Sequence, residues 1–316
     1  MSVALIVVLI FGVETAGGIG AVIHNASELP GYLSMTLSYD VNTGKAAPYS
    51  ALTIVSTAAW GLGYFGMPHI LLRFMAIEDE KKLKLSRRVA TIWVVISLFV
   101  AVFIGVIGYT MSKVGALEML TGSNSETIIV KISALLSQHG VIFALLAGVI
   151  LAGILASTMS TSDSQLLAAS SAVSSDILGA FRKDSSNKNG SMAAARITLL
   201  VISVVAAFIA RNPDSSVFAI VSFAWAGFGA AFGPVVLFSL FWKRTNKWGA
   251  LAGMVCGGSM VFIWKYLIRP LGGIWNIYEL LPAFLIACAA IVIVSLLTPK
   301  PSKEIEEEFD RVAQMK

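Results

Sequence analysis

An all-α membrane protein of about eight transmembrane helices is the fold class this sequence predicts, and three observations carry that expectation. Of 316 residues, 57% are hydrophobic and only 13% charged, whereas about a quarter of the residues of a soluble domain are charged. Mean hydropathy is +0.81. The apolar runs are about 20 residues each, the helix length that crosses roughly 30 Å of hydrocarbon. A single helical bundle over 1–298, followed by a cytoplasmic tail at 299–316, is therefore expected rather than two soluble domains.

Apolar runs broken by polar, Gly or Pro clusters place the spans at 2–24, 50–75, 89–112, 139–162, 192–211, 215–242, 247–268 and 277–298. The first run has no basic start and continues through Glu14 and Gly17-Gly18, so it reads as a span and not as a cleaved signal peptide. Arg73, Lys81, Lys82, Lys84, Arg87 and Arg88 follow span two; Arg182, Lys183, Lys188 and Arg196 follow span four; Lys243, Arg244 and Lys247 follow span six. The tail adds Lys300, Lys303, Arg311 and Lys316, while the opposite side holds Lys45, Lys113, Lys131, Arg211, Lys265 and Arg269. This bias predicts that both termini are cytoplasmic. It also accounts for the net charge of +5 without nucleic-acid binding, since there is no basic tail with interleaved aromatics. The polar stretch from Asp176 to Gly190 is expected to be a cytoplasmic connector. Cys256 and Cys288 sit within apolar runs and read as small apolar residues, not as a disulfide or a zinc site.

Span two has the most irregular sequence, Trp60-Gly61-Leu62-Gly63-Tyr64-Phe65-Gly66-Met67-Pro68-His69. Gly costs a helix up to about 1 kcal/mol relative to Ala, and Pro about 3 kcal/mol. In lipid the backbone groups freed by a break need partners, so an interrupted helix points to a cavity and a substrate site. Trp60 and Tyr64, four apart, would share one face and offer a flat apolar wall with N–H and O–H donors. A kink that serves helix packing, with Trp60 in the core, fits the same residues equally well.

Span four ends in Ser157-Thr158-Met159-Ser160-Thr161-Ser162-Asp163-Ser164. Ser157, Ser160, Thr161 and Ser164 fall at i, i+3, i+4 and i+7, one stripe of a helix. Hydroxyls together with carbonyls from an opened turn could hold a small hard cation such as Na⁺. On the residues alone, hydroxyls bonding back to the helix backbone are the favoured reading. Glu14 and Asp163 are the ionisable residues nearest span interiors, though an interfacial position suits both. In span six, Ala224-Trp225-Ala226-Gly227-Phe228-Gly229 reads as a small-residue packing face. His24, His69 and His139 lie at span ends, and no hydrolase, metalloprotease or nucleotide-binding motif accompanies them, so an enzyme is not expected.

The segments WGLGYFGMPHILLRFMA (60–76), ILASTMSTSDSQLLAASSA (154–172) and FAWAGFGAAFGPVVLFSLFWKR (223–244) resemble the sodium/solute symporter family, and within it the sodium/proline symporters. The resemblance runs from near the N-terminus to about residue 298 and implies a partial leucine-transporter-type fold of inverted repeats. It implies sodium-coupled transport of L-proline across the plasma membrane, with Na⁺ as coupling ion and no other cofactor. Carried over residue by residue, it points to Trp60, Tyr64 and Pro68 for the substrate. For sodium it points to the hydroxyls of Ser160 and Thr161 and the Ser157 carbonyl, with Ser164 serving an additional site seen in some relatives. Met67 departs from the pattern, standing where proline carriers usually have Gln. The resemblance also implies that the chain begins within the family's sixth span and lacks the first repeat, so that it is a fragment of a longer carrier or a truncated product. The alternatives are a non-transporting membrane module that needs partner helices, or a symporter for another small solute such as pantothenate.

Overall fold

The computed structural model describes residues 2–41, 43–79, 81–177, 188–211 and 216–314. Most of the expected connector between Asp176 and Gly190 lies outside the described residues. Two compact units make up the chain, Met1–Ala47 with Ile77–Val217 and Pro48–Ala76 with Phe218–Lys316.

The first unit contains α1 (Ser2–Thr15), α2 (Ile19–Ser27), strand β1 (Leu37–Asp40) and most of its partner β2 (Lys45–Pro48). The second unit takes up the chain with α3 (Ala51–Ala59), a 3₁₀ segment Trp60–Gly66 and α4 (Pro68–Met75). The first resumes with α5 (Lys82–Lys113), α6 (Ile128–Leu136), α7 (Val141–Ser171), a π-helical turn Ala172–Ile177 and α8 (Lys188–Ile209). The second closes with α9 (Val217–Phe241), α10 (Lys247–Ile263), a π-helical turn Trp264–Ile268, α11 (Leu280–Leu297) and α12 (Lys303–Gln314).

Among the described residues six helices are long and apolar enough to cross a membrane, or seven if the bent pair at the N-terminus counts as one span. They match the expected spans three to eight, so the chain is an all-α, multi-pass membrane protein apart from the small hairpin. Expected spans one and two differ from single helices. The run 2–24 breaks at Gly17 and Gly18, both at positive φ, and the flanking helices meet at 78°. An L side chain is strained at positive φ, so glycines there let the chain turn without loss of apolar character. The run 50–75 is α3, the 3₁₀ segment and α4 in succession. The hairpin was not foreseen; Gly44 at φ 66° donates its N–H to the Asp40 carbonyl at 2.8 Å and closes its turn.

Each unit has its own core. In the first, Leu5 and Val8 of α1 pack on Ile104, Ile107 and Met111 of α5 and on Ile132 and Leu136 of α6. Gly12 lets α1 approach, because a Cβ there would stand 2.8 Å from Ile107. In the second, Ala226 and Ala230 of α9 meet Leu280, Ala283 and Phe284 of α11. α10 packs against the same α11: a Cβ at Gly253 would meet the Ile291 side chain, the close approach that small residues permit in membranes. Asn246 caps α10, accepting from the Gly249 N–H at 2.9 Å while its amide donates to the Pro299 carbonyl at 2.8 Å. Much of the outer surface of α5, α7 and α8 is exposed Val, Leu, Ile and Phe, which in water would be an aggregating patch and in a bilayer is simply solvated.

Candidate functional site

In the second unit, Ser50 starts α3, its side chain accepting from the Thr53 N–H at 3.2 Å. After Ala59 the helix tightens to 3₁₀, Met67 turns extended at φ −79° and ψ 113°, and Pro68 opens α4 at a position where its missing N–H costs nothing. The break predicted from the Gly and Pro content is therefore present. One of its carbonyls has found a specific partner: the Trp225 indole N–H donates to the Trp60 carbonyl at 2.9 Å.

The same indole builds an aromatic wall. The Trp60 ring lies nearly parallel to Phe218 (5.3 Å between centroids, 10°), Trp225 (5.8 Å, 16°) and Tyr278 (5.7 Å, 17°). Tyr64 meets Trp225 edge-on at 4.7 Å and 84°. Trp60 is half-buried, whereas Tyr64 is 52% exposed, so the wall has a packed end and an open end. Trp225 joins the two residues that sequence spacing placed on one face. In the sequence it stands in a small-residue packing face, its signal a large indole amid Ala and Gly. Pro68 is half-buried and acts on the backbone, and Met67 is buried.

Two glycines allow α9 to come this close. A Cβ at Gly63 would overlap the Trp225 indole, and one at Gly66 would run into the backbone of Phe228, Gly229 and Gly233.

In the first unit, Ser157, Ser160, Thr161 and Ser164 all lie on α7. The first three are exposed and Ser164 is half-buried. Thr161 Oγ1 donates to the Ser157 carbonyl at 3.2 Å, and Ser164 Oγ donates to the Ser160 carbonyl at 3.0 Å. No opened turn frees carbonyls at these residues: α7 is continuous through Ser171, and the irregular turn follows it at Ala172–Ile177. No Gly or Pro falls between 154 and 171 to break it. A hydroxyl that donates its proton to its own helix still turns its lone pairs outward, so the stripe presents acceptor oxygens to whatever faces it. Glu14 and Asp163 are exposed. Wall and stripe belong to different units, and each stands as a site fragment by itself.

Comparison with known proteins puts these features in a family. A sequence model of the Sodium:solute symporter family matches residues 1–257. The osmoregulated proline transporter OpuE of Bacillus subtilis is 37% identical over 303 residues, covering 96% of this chain and 58% of that protein. The sodium/proline symporter of Haemophilus influenzae is 41% identical over 262 residues, 82% of this chain and 51% of its own. That of Escherichia coli is 39% identical over 259 residues, 82% of this chain and 50% of its own. The chain thus spans about half the length of these relatives. With long family segments matched through both the broken helix and the Ser/Thr stripe, the chain belongs to the sodium:solute symporter family, a family of transporters.

Proposed function

We propose that this protein takes part in sodium-coupled uptake of L-proline across the plasma membrane, the Trp60/Tyr64 wall contacting the solute and the Ser157, Ser160, Thr161 stripe contacting Na⁺. The observation that carries the reading is the interrupted helix, which lays a partly open aromatic wall against a backbone break. The three methylenes of proline's pyrrolidine ring are apolar and can lie on such a wall, with the ring ammonium at the edge. Its carboxylate suits the positive end of the α4 dipole, which begins at the same break. Relatives named as sodium/proline symporters support the choice of solute. Ser164, next along the stripe, is assigned to a further ion contact, and Pro68 to the shape of the break.

The test is uptake of radiolabelled L-proline into cells or proteoliposomes with Na⁺ or with choline. Uptake that is equal in the two salts would end the sodium reading. At saturating Na⁺, Trp60→Ala is expected to raise the KM for proline about tenfold, and Tyr64→Phe about two- to threefold, since the first removes an aromatic face and the second a single hydroxyl. An unchanged KM in Trp60→Ala would show the indole to be packing alone.

The orientation follows from the loop charges and is tested separately. In a background without Cys256 and Cys288, Lys45→Cys is expected to react with a membrane-impermeant maleimide in intact cells, and Lys303→Cys only after the cells are opened. The reverse pattern would invert the topology.

A further inference from the structure

One residue that touches Trp60 is far more firmly held than the indole itself. Tyr278 stands just before α11 and is 8% exposed. Its hydroxyl donates to the Ser222 carbonyl of α9 at 2.6 Å, and its backbone N–H donates to Ser56 Oγ of α3 at 3.1 Å. Its ring lies against Trp60. The neighbouring Glu279 is buried at 1% exposure, accepting from Arg269 Nη1 at 2.8 Å with Lys265 at 4.0 Å. Arg269 also donates through Nε to Asn276 Oδ1 at 3.0 Å. A carboxylate this deeply buried is costly to leave unpaired, so the Arg269 and Lys265 contacts tie the segment that carries Tyr278. These residues lie beyond residue 257, where the family match ends.

We propose that Tyr278 is a positioning residue for the solute wall: clamped to α3 and α9 and backed by the Arg269–Glu279 pair, it supports one face of Trp60 and thereby fixes where the indole presents itself. The inference rests on the assignment of Trp60 to the solute, and it adds that the connection between α10 and α11 sets the geometry of the break. The ring does the supporting, since the hydroxyl and the N–H serve to hold the ring. Loss of a stacked aromatic partner is worth about 0.5–1.5 kcal/mol beyond its area, which reads as a change of up to about tenfold.

Two measurements on the reconstituted protein decide it: hydrogen exchange of the peptide covering 60–66, and proline KM against maximal rate at saturating Na⁺. Tyr278→Leu is expected to speed exchange over 60–66 about tenfold and to raise KM about tenfold, with the maximal rate within about twofold of wild type. Tyr278→Phe, which keeps the ring, should stay within about threefold of wild type on both. Should Tyr278→Leu not fold, Ser56→Ala removes one clamp only and is expected to speed the same exchange about threefold. Exchange over 60–66 that stays at the wild-type rate in Tyr278→Leu, or in Ser56→Ala where Tyr278→Leu does not fold, overturns the proposal. So does a Tyr278→Phe variant as impaired as Tyr278→Leu, and so does faster exchange with unchanged KM in a protein whose wild type carries proline. If the wild type carries no proline, the solute assignment falls, and exchange over 60–66 still decides whether Tyr278 holds the break.

Discussion

Gly66→Ala is expected to lower the midpoint of thermal unfolding of the detergent-solubilised protein by roughly 5–10 °C, while Gly61→Ala, five residues earlier, leaves it unchanged or slightly raised. A Cβ at Gly66 would press on the Phe228 carbonyl and stand 2.9 Å from both Gly229 Cα and Gly233 N. Those are backbone atoms, which cannot rotate away as a side chain would. The 3₁₀ segment and α9 would have to separate, and with them would go the indole bond from Trp225 to the Trp60 carbonyl. Overpacking of this kind costs about 1–3 kcal/mol, and a crossing held by backbone on both sides belongs at the upper end. At Gly61, by contrast, a Cβ meets nothing within 4 Å, so only the better helix propensity of Ala remains, up to about 1 kcal/mol in the opposite direction. Membrane proteins often unfold irreversibly, so both variants are compared with wild type at one heating rate by loss of the monodisperse peak in gel filtration. Equal midpoints for Gly66→Ala and wild type would mean that the two elements are not in contact there.

The contrast between those glycines shows which parts of the structure the sequence could reveal. The break at 60–68 was legible because its cause is local: Gly and Pro weaken a helix wherever they stand, and three Gly and a Pro fall within nine residues. Spans three to eight were legible because uninterrupted apolar length is itself the physical requirement for crossing lipid. The bend at Gly17-Gly18 was hidden, since two glycines without a proline weaken a helix but do not by themselves specify a turn, and only their positive φ reveals it. The β1–β2 hairpin was hidden by its brevity in a polar loop. For the site, the spacing of Trp60 and Tyr64 marked the wall, but Trp225 on α9 and Tyr278 just before α11 complete it from more than 160 residues further along the chain. No periodicity links such positions; the contact exists only once glycine has let the helices meet. The Ser/Thr stripe was visible as a stripe, and the back-bonding that its residues favour is what α7 shows, the helix staying intact through them.

That intact helix sharpens what the stripe should do. On the proposed sodium reading, half-maximal proline uptake by the Ser160→Ala/Thr161→Ala variant is expected to need about a hundredfold more Na⁺ than in wild type. Each of the two hydroxyls would contribute an oxygen to a cation, and a polar contact to a charged partner is worth about 1.5–3 kcal/mol, so losing both costs at least about 3 kcal/mol, or two factors of ten. The helix itself loses little: Thr161 gives up a bond to the Ser157 carbonyl that only duplicates helix bonding, and Ala is the better helix former. Thr161→Ser keeps the oxygen and should stay within about threefold of wild type. Ser162→Ala lies off the i, i+3, i+4 stripe and should not differ from wild type. If, as proposed, ion and solute favour one conformational state, the double variant should also show a weakened proline KM at low Na⁺, recovering as Na⁺ saturates. A damaged fold would lower the maximal rate at every Na⁺ concentration instead, so recovery at high Na⁺ is the signature of a lost ion ligand. If the double variant kept the wild-type Na⁺ requirement, the stripe would be back-bonded packing, and the cation would have to be sought elsewhere in the protein.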